Sequence, residues 1–182
     1  MLDKQPGVTS RQAVTKISKI LNIKKVGHAG TLDPMATGVL PIAVGEATKC
    51  TSLIQNKIKR YSFIVKWGET TNTDDLEGTV LEKSNVRPTK TQVLDILNSF
   101  KGKVLQEPPA FSAIKIEGKR SYKLARNNII VKHRPREVEI HKLSLKKIVN
   151  SDFAEFEVLC GKGTYIRSLA KDIAEKLNTK AH

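Results

Sequence analysis

No run of apolar residues in this chain of 182 approaches the roughly 20 needed to span a bilayer, and the N-terminus has no apolar signal-peptide region. The expectation is a soluble, intracellular protein. Cysteine is scarce: Cys50 and Cys160 lie far apart and neither belongs to a C-x-x-C pair. Two cysteines build no disulfide framework, so a reducing cytoplasm is the simplest setting. The four histidines (His28, His133, His141, His182) and the two cysteines show no ligand spacing, which argues against a metal site. The nucleophile elbow of a Ser-His-Asp hydrolase is missing. Gly161-Lys162-Gly163-Thr164 is no P-loop either, because the glycine four residues before Gly-Lys is absent and Gly163 separates Lys162 from Thr164. No repeat, low-complexity tract or linker appears.

Acid is also in short supply. Lys and Arg number 32 against 18 Asp and Glu, a formal net charge of +14. Residues 101 to 147 alone hold 13 basic and 4 acidic side chains, a surplus of nine. Such a surplus favours a polyanion through phosphate neutralisation and counterion release, although a merely soluble basic surface shares the signature. With 39% hydrophobic residues the chain is globular and long enough for a core, as one domain or one domain with an insertion.

In chain order, Met1–Lys4 reads as the end of a strand, Pro6-Gly7 as a turn, and Thr9 or Ser10 as the cap of a helix carrying Val14, Ile17 and Leu21 at helical spacing. Residues 46 to 54 read as a short helix. Tyr61, Phe63, Val65 and Trp67 alternate onto one strand face, and the acidic turn 73 to 78 leads to a second strand through Leu81. That turn lacks the ligand series of a calcium loop. Residues 89 to 100 read as a helix capped by Thr89 or Thr91, with Val93, Ile96, Leu97 and Phe100 buried. Val138, Ile140, Leu143 and Leu145 suggest a strand with one register shift, and Phe153 to Val158 another. Cys160 to Arg167 opens a last helix with Ile166, Leu169, Ile173 and Leu177 as its stripe. Strands outnumber helices without alternating regularly with them, so the fold class is α+β on a mainly antiparallel sheet.

Four of the 11 glycines (Gly27, Gly30, Gly38, Gly45) fall in one stretch with Pro34 and Pro41, bending the backbone into a shape poor in side chains. Within it sits a single carboxylate, Asp33, biased toward an extended or turn conformation by Pro34. An isolated Asp-Pro is ordinarily a turn former. The run Gly27-His28-Ala29-Gly30-Thr31-Leu32-Asp33-Pro34, however, resembles the signature of the TruB-type tRNA pseudouridine synthases nearly position for position. So do Asp3-Lys4-Gln5-Pro6-Gly7-Val8-Thr9-Ser10, with Gln5 where the family has proline, and Gln106-Glu107-Pro108-Pro109-Ala110-Phe111-Ser112-Ala113, with Phe111 where tyrosine is common.

The resemblance implies the pseudouridine synthase catalytic fold over residues 1 to 182, incomplete at its C-terminus, with a basic RNA-gripping insertion at about 106 to 136 and without the family's C-terminal RNA-binding domain. It implies an isomerase that converts a uridine of the tRNA T loop, at position 55, to pseudouridine without cofactor or metal. Its partner is the T arm of tRNA, with no guide RNA, protein partner or membrane. Asp33 matches the catalytic aspartate, Arg167 the arginine paired with it, and Tyr61 the tyrosine over the target base, placed to assist proton removal from C5. His28 matches the histidine that stacks in the remodelled RNA loop. Tyr165, Lys4 and Arg126 complete the implied substrate contacts. An arginine partner favours the ionised form of a carboxylate and fixes its direction. Asp33 could then attack the sugar or the base, or abstract a sugar proton; the residues do not choose among these. By position alone Tyr61 reads equally as core, Tyr165 and Arg167 as packing and capping groups, and His28 as a surface residue. The alternative function is a non-catalytic RNA-binding module or tRNA-folding helper; a basic ribosome-associated protein would leave the signature unexplained.

Overall fold

Thr9 begins the first helix through a reciprocal cap. Its hydroxyl accepts the Gln12 N–H at 3.1 Å while the Gln12 side chain accepts the Thr9 N–H at 2.8 Å. In the computed structural model, which describes residues 1 to 127 and 129 to 182, this helix belongs to the first of two compact units, Met1–Lys57 and Ile58–His182.

The first unit runs β1 (Leu2–Lys4), α1 (Ser10–Leu21), β2 (Val26–His28), β3 (Gly38–Leu40), β4 (Ile42–Val44) and α2 (Thr51–Gln55). β1 pairs antiparallel with β3, and β2 with β4. β2, β3 and β4, three residues each, lie inside the glycine-rich stretch that the sequence presents as a loop. The expected helix over 46 to 54 is a 3-10 segment, Gly45–Cys50, followed by α2. It contains no buried residue that would hold a regular helix.

The second unit runs β5 (Lys59–Lys66), β6 (Glu69–Thr71), β7 (Val80–Lys83), α3 (Lys90–Leu97), β8 (Gly102–Gln106), β9 (Lys115–Ile116), β10 (Lys119–Arg120), α4 (Ser121–Arg126), β11 (Arg136–Ile148), β12 (Phe153–Cys160) and α5 (Ile166–Lys176). Its main sheet has the order β5-β12-β11-β8, antiparallel throughout. Alternation along β5 and β12 turns Phe63 and Phe156 onto one face as a directly opposed pair. Their rings stack at 5.5 Å, and Trp67 meets Phe156 edge-on at 6.2 Å. α3 and α5 cover this face with Val93, Leu97, Leu169 and Ile173, all buried.

Three expectations need adjustment. The α-helical part of 89 to 100 ends at Leu97 and a 3-10 turn carries the chain through Phe100. β11 has two register shifts rather than one, at Ile140/Lys142 and Leu145/Lys147. Cys160 closes β12, and α5 begins only at Ile166, with Tyr165 at its N-cap. The architecture is α+β with a mainly antiparallel sheet, as the sequence implies.

Candidate active site

The first unit fixes the backbone on both sides of Asp33. Before it, Leu32 donates its N–H to Ser10 Oγ and accepts the Ser10 hydroxyl at its carbonyl, both at 3.0 Å. After it, the Pro34 carbonyl accepts the Gly7 N–H at 2.9 Å and Lys4 Nζ at 3.0 Å. Ala36 N–H donates back to the Asp33 carbonyl at 3.1 Å, closing a tight turn over Asp33-Pro34-Met35-Ala36. Gly30 (φ +127°) and Gly38 (φ +110°) bound the loop in conformations that residues with a Cβ rarely adopt. Asp33 itself is half-buried.

Lys4 has a different place from the one its family position suggests. Its residue is only 1% exposed, and its ammonium donates to the carbonyls of Gln5 (3.0 Å), Val8 (2.7 Å) and Pro34 (3.0 Å). Three donors meet three acceptors, an arrangement that only the protonated amine can satisfy. Burial pulls its pKa below the ordinary lysine value and the negative charge of Asp33 pushes it back up. The geometry makes Lys4 a brace of the loop that carries Asp33 and leaves its ammonium no donor for an RNA phosphate.

His28 closes β2, opposite Ile42 on β4. It is half-buried, and its Nδ1 is buried without a hydrogen bond among the described residues. A buried ring nitrogen without a hydrogen-bond partner is uncommon.

The other expected residues belong to the second unit. Tyr61 lies on β5 opposite Val158, half-buried against the core. Arg167, in the first turn of α5, is nearly buried, its side chain 13% exposed. Its Nη1 donates to the Thr73 carbonyl at 2.8 Å, and its Nη2 to the Phe111 carbonyl at 3.0 Å. Asp75 Oδ2 lies 3.8 Å from Nη1. The acidic turn read as a mere connection between strands is thus tied to the helix that carries Arg167. Asp75 also folds that turn, accepting the Thr73 hydroxyl at 2.6 Å and the Glu77 N–H at 3.0 Å. Sequence reasoning missed Asp75, although an acid two residues after a threonine and three before a glycine is a signal for a side-chain-closed turn. Arg126 is exposed at the end of α4, its guanidinium 5.5 Å from the Tyr122 ring centre, a helical i,i+4 pair.

Among the described residues, no group of three or more His, Cys, Asp or Glu side chains is placed to hold a metal, and no helix is long and apolar enough to cross a membrane.

The model of the TruB family pseudouridylate synthase N-terminal domain matches residues 18 to 166. tRNA pseudouridine synthase B of Bradyrhizobium diazoefficiens is 50% identical over the whole chain, which covers 53% of that protein, and its counterpart in Agrobacterium fabrum is also 50% identical, with 58% covered. The chain therefore spans about half the length of the curated relatives it matches. Among solved structures, a chain of a Cbf5-Nop10-Gar1 complex superposes on 99% of this one with a TM-score of 0.73 and 30% identity, 44% of that chain being covered. An archaeal box H/ACA sRNP Nop10-Cbf5 complex gives 0.69 at 26% identity, with 43% covered. With the signature loop, the α+β fold and a match running through most of its length, the chain belongs to the TruB family of pseudouridylate synthases.

Proposed function

We propose that this chain carries the catalytic machinery of a tRNA pseudouridine synthase that isomerises a T-loop uridine, position 55, to pseudouridine. The observation that carries the reading is the clamp on both neighbours of Asp33, which leaves one carboxylate on a rigid, side-chain-poor loop. The roughly half identity to tRNA pseudouridine synthase B supports the choice of tRNA as substrate. So does the positive surplus of residues 101 to 147, which suits phosphate contacts along an RNA arm.

The target uridine leaves its stack at a cost of a few kcal/mol. Stacking on an aromatic ring returns roughly 1 to 3 kcal/mol per base, with Tyr61 and Tyr165 as the rings. Asp33 acts in cleavage of the N1 glycosidic bond, the uracil turns, and C5 is joined to the sugar, with Tyr61 placed to assist removal of the C5 proton. Arg167 is the guanidinium partner of Asp33, His28 holds a displaced base of the loop, and Arg126 contacts the RNA backbone from the insertion. The isomerisation is redox-neutral, so these groups need no cofactor. Cytoplasmic tRNA is the expected pool.

Purified protein incubated with unmodified tRNA should yield pseudouridine at position 55 by mass spectrometry or chemical mapping, and Asp33→Asn should yield none. Turnover surviving in Asp33→Asn would refute the assignment of the aspartate. Tight, salt-sensitive tRNA binding with no product from the parent protein would favour the alternative, a binding or folding-helper role.

A further inference from the structure

We propose that Gln106 is a positioning residue: its buried amide fixes the start of α5, and through it sets where Tyr165 and Arg167 stand. The inference rests on the reading of those two residues given above.

α5 begins without a capping side chain of its own. Tyr165 occupies the N-cap in extended conformation and offers no side-chain acceptor to the free N–H groups of the first turn. The acceptor comes from elsewhere in the fold. Gln106, the last residue of β8 and 2% exposed, takes the Tyr165 N–H on Oε1 at 2.7 Å. Its neighbour Glu107 accepts the Ser168 hydroxyl on its carbonyl at 2.6 Å. One dipeptide at the end of a sheet strand thus grips both ends of the helix's first turn, residues 165 and 168. Arg167 lies between them, and its guanidinium is held in turn by the carbonyls of Thr73 and Phe111.

The other half of the amide has its own target. Gln106 Nε2 makes no hydrogen bond of good geometry among the described residues, yet the amide interacts with the carboxyl of Asp172, two turns along α5. Burial is the largest influence on that carboxyl, pushing its pKa up to about 6. Glu175 and Glu107 add to the rise, while Gln106 and Lys171 oppose it. An ionised Asp172 draws the Nε2–H group toward itself and so orients Oε1 on the Tyr165 amide. A protonated Asp172 attracts it far less, and the cap loosens. The two ends of one side chain therefore couple a carboxyl that titrates near neutrality to the start of the helix.

The test uses the full chain with 3-fluorotyrosine in its three tyrosines, Tyr165 being assigned from a Tyr165→Phe control. Three readings are taken across pH 5 to 8: amide exchange at Tyr165, its fluorine signal, and kcat and KM on unmodified tRNA. Gln106→Leu removes both ends of the amide. It should abolish protection at Tyr165 and lower kcat about tenfold, with KM changed less than about twofold. Asp172→Asn, neutral at every pH like the protonated acid, should hold the cap at its looser low-pH level and erase the step near pH 6 from both the fluorine signal and kcat. Gln106→Glu keeps an acceptor for the Tyr165 N–H and should retain most of the protection that Gln106→Leu loses.

Unchanged Tyr165 protection and unchanged kcat in a folded Gln106→Leu protein would overturn the proposal. If Gln106→Leu does not fold, a pH step that persists in Asp172→Asn would overturn it instead. Should the parent protein make no pseudouridine, the functional reading fails, while the exchange and fluorine measurements still decide whether Gln106 holds Tyr165.

Discussion

Replacing Lys4 by methionine removes an ammonium and keeps most of an unbranched stem, which makes it a clean test of what holds the Asp33 loop. Lys4 is 1% exposed and gives all three of its N–H groups to carbonyls. In Lys4→Met the Pro34 carbonyl keeps the Gly7 N–H, while those of Gln5 and Val8 lose the ammonium outright. Stripping a buried acceptor costs roughly 1 to 3 kcal/mol, and since Gln5 is exposed and Val8 half-buried, about 2 to 6 kcal/mol for the two is an upper bracket. Partial entry of water and the retained apolar stem move the expectation to the lower half, about 3 kcal/mol. For a chain of this length each kcal/mol lowers the melting temperature by about 2 to 4 °C, giving a fall of about 6 to 12 °C. Calorimetry on parent and variant reads this directly, with Lys16→Met on the exposed face of α1 as the control, expected within about 0.5 kcal/mol of the parent. Because Pro34 follows Asp33, kcat should fall more than KM rises. A Lys4→Met protein that melts within about 2 °C of the parent would refute the brace. So would a slope of tRNA affinity against salt shallower by about one, which would put the ammonium on a phosphate.

The insertion contains a buried polar knot with its own pH response. His133 Nε2 lies 2.9 Å from Ser121 Oγ and 3.3 Å from Ser112 Oγ; the Ser121 hydroxyl gives its one hydrogen to the Ala110 carbonyl and so accepts the Nε2–H of His133. Burial lowers its pKa, Arg136 lowers it further and Glu107 opposes them. With the folded value below the unfolded one near 6.5, the contribution to stability is present above that value and is lost as pH falls through the folded value. Amide exchange at Tyr122, whose N–H is bonded to the Ser112 carbonyl, should therefore quicken between pH 7 and 5 beyond its intrinsic rate, and His133→Phe should remove that step. Asp75→Asn keeps an oxygen for the turn but removes the charge beside the nearly buried Arg167; it should cost about tenfold in kcat and roughly 3 kcal/mol of stability, as removal of one member of a buried ion pair does. An unaltered kcat would confine Asp75 to the turn.

What the sequence reveals here depends on how local the physics is. The Thr9 and Thr89 caps are legible because a capping box needs only residues three apart, and both have glutamine at the third position. β5 and β12 are legible because eight residues give a period-two pattern room to repeat. β2, β3 and β4 are not, since three residues carry no period and glycine and proline dominate their surroundings. β8 is hidden for another reason: Leu105 is 73% exposed while Gln106 beside it is buried, the reverse of what their side chains suggest. The same inversion governs the site. Asp33 is found through a signature rather than through any pattern of charge or burial. The residues that hold the surroundings in place, Lys4, Asp75 and Gln106, look from sequence like an exposed cation, a turn acid and an unremarkable amide. Their partners are Pro34, Arg167 and Tyr165, separated from them by 30, 92 and 59 positions, distances at which composition and periodicity carry no information. A buried ammonium and a solvated one are the same letter, and only the carbonyls that a fold gathers around it tell them apart. Supporting shells of this kind therefore stay hidden in a sequence even where the signature carboxylate they surround is plain.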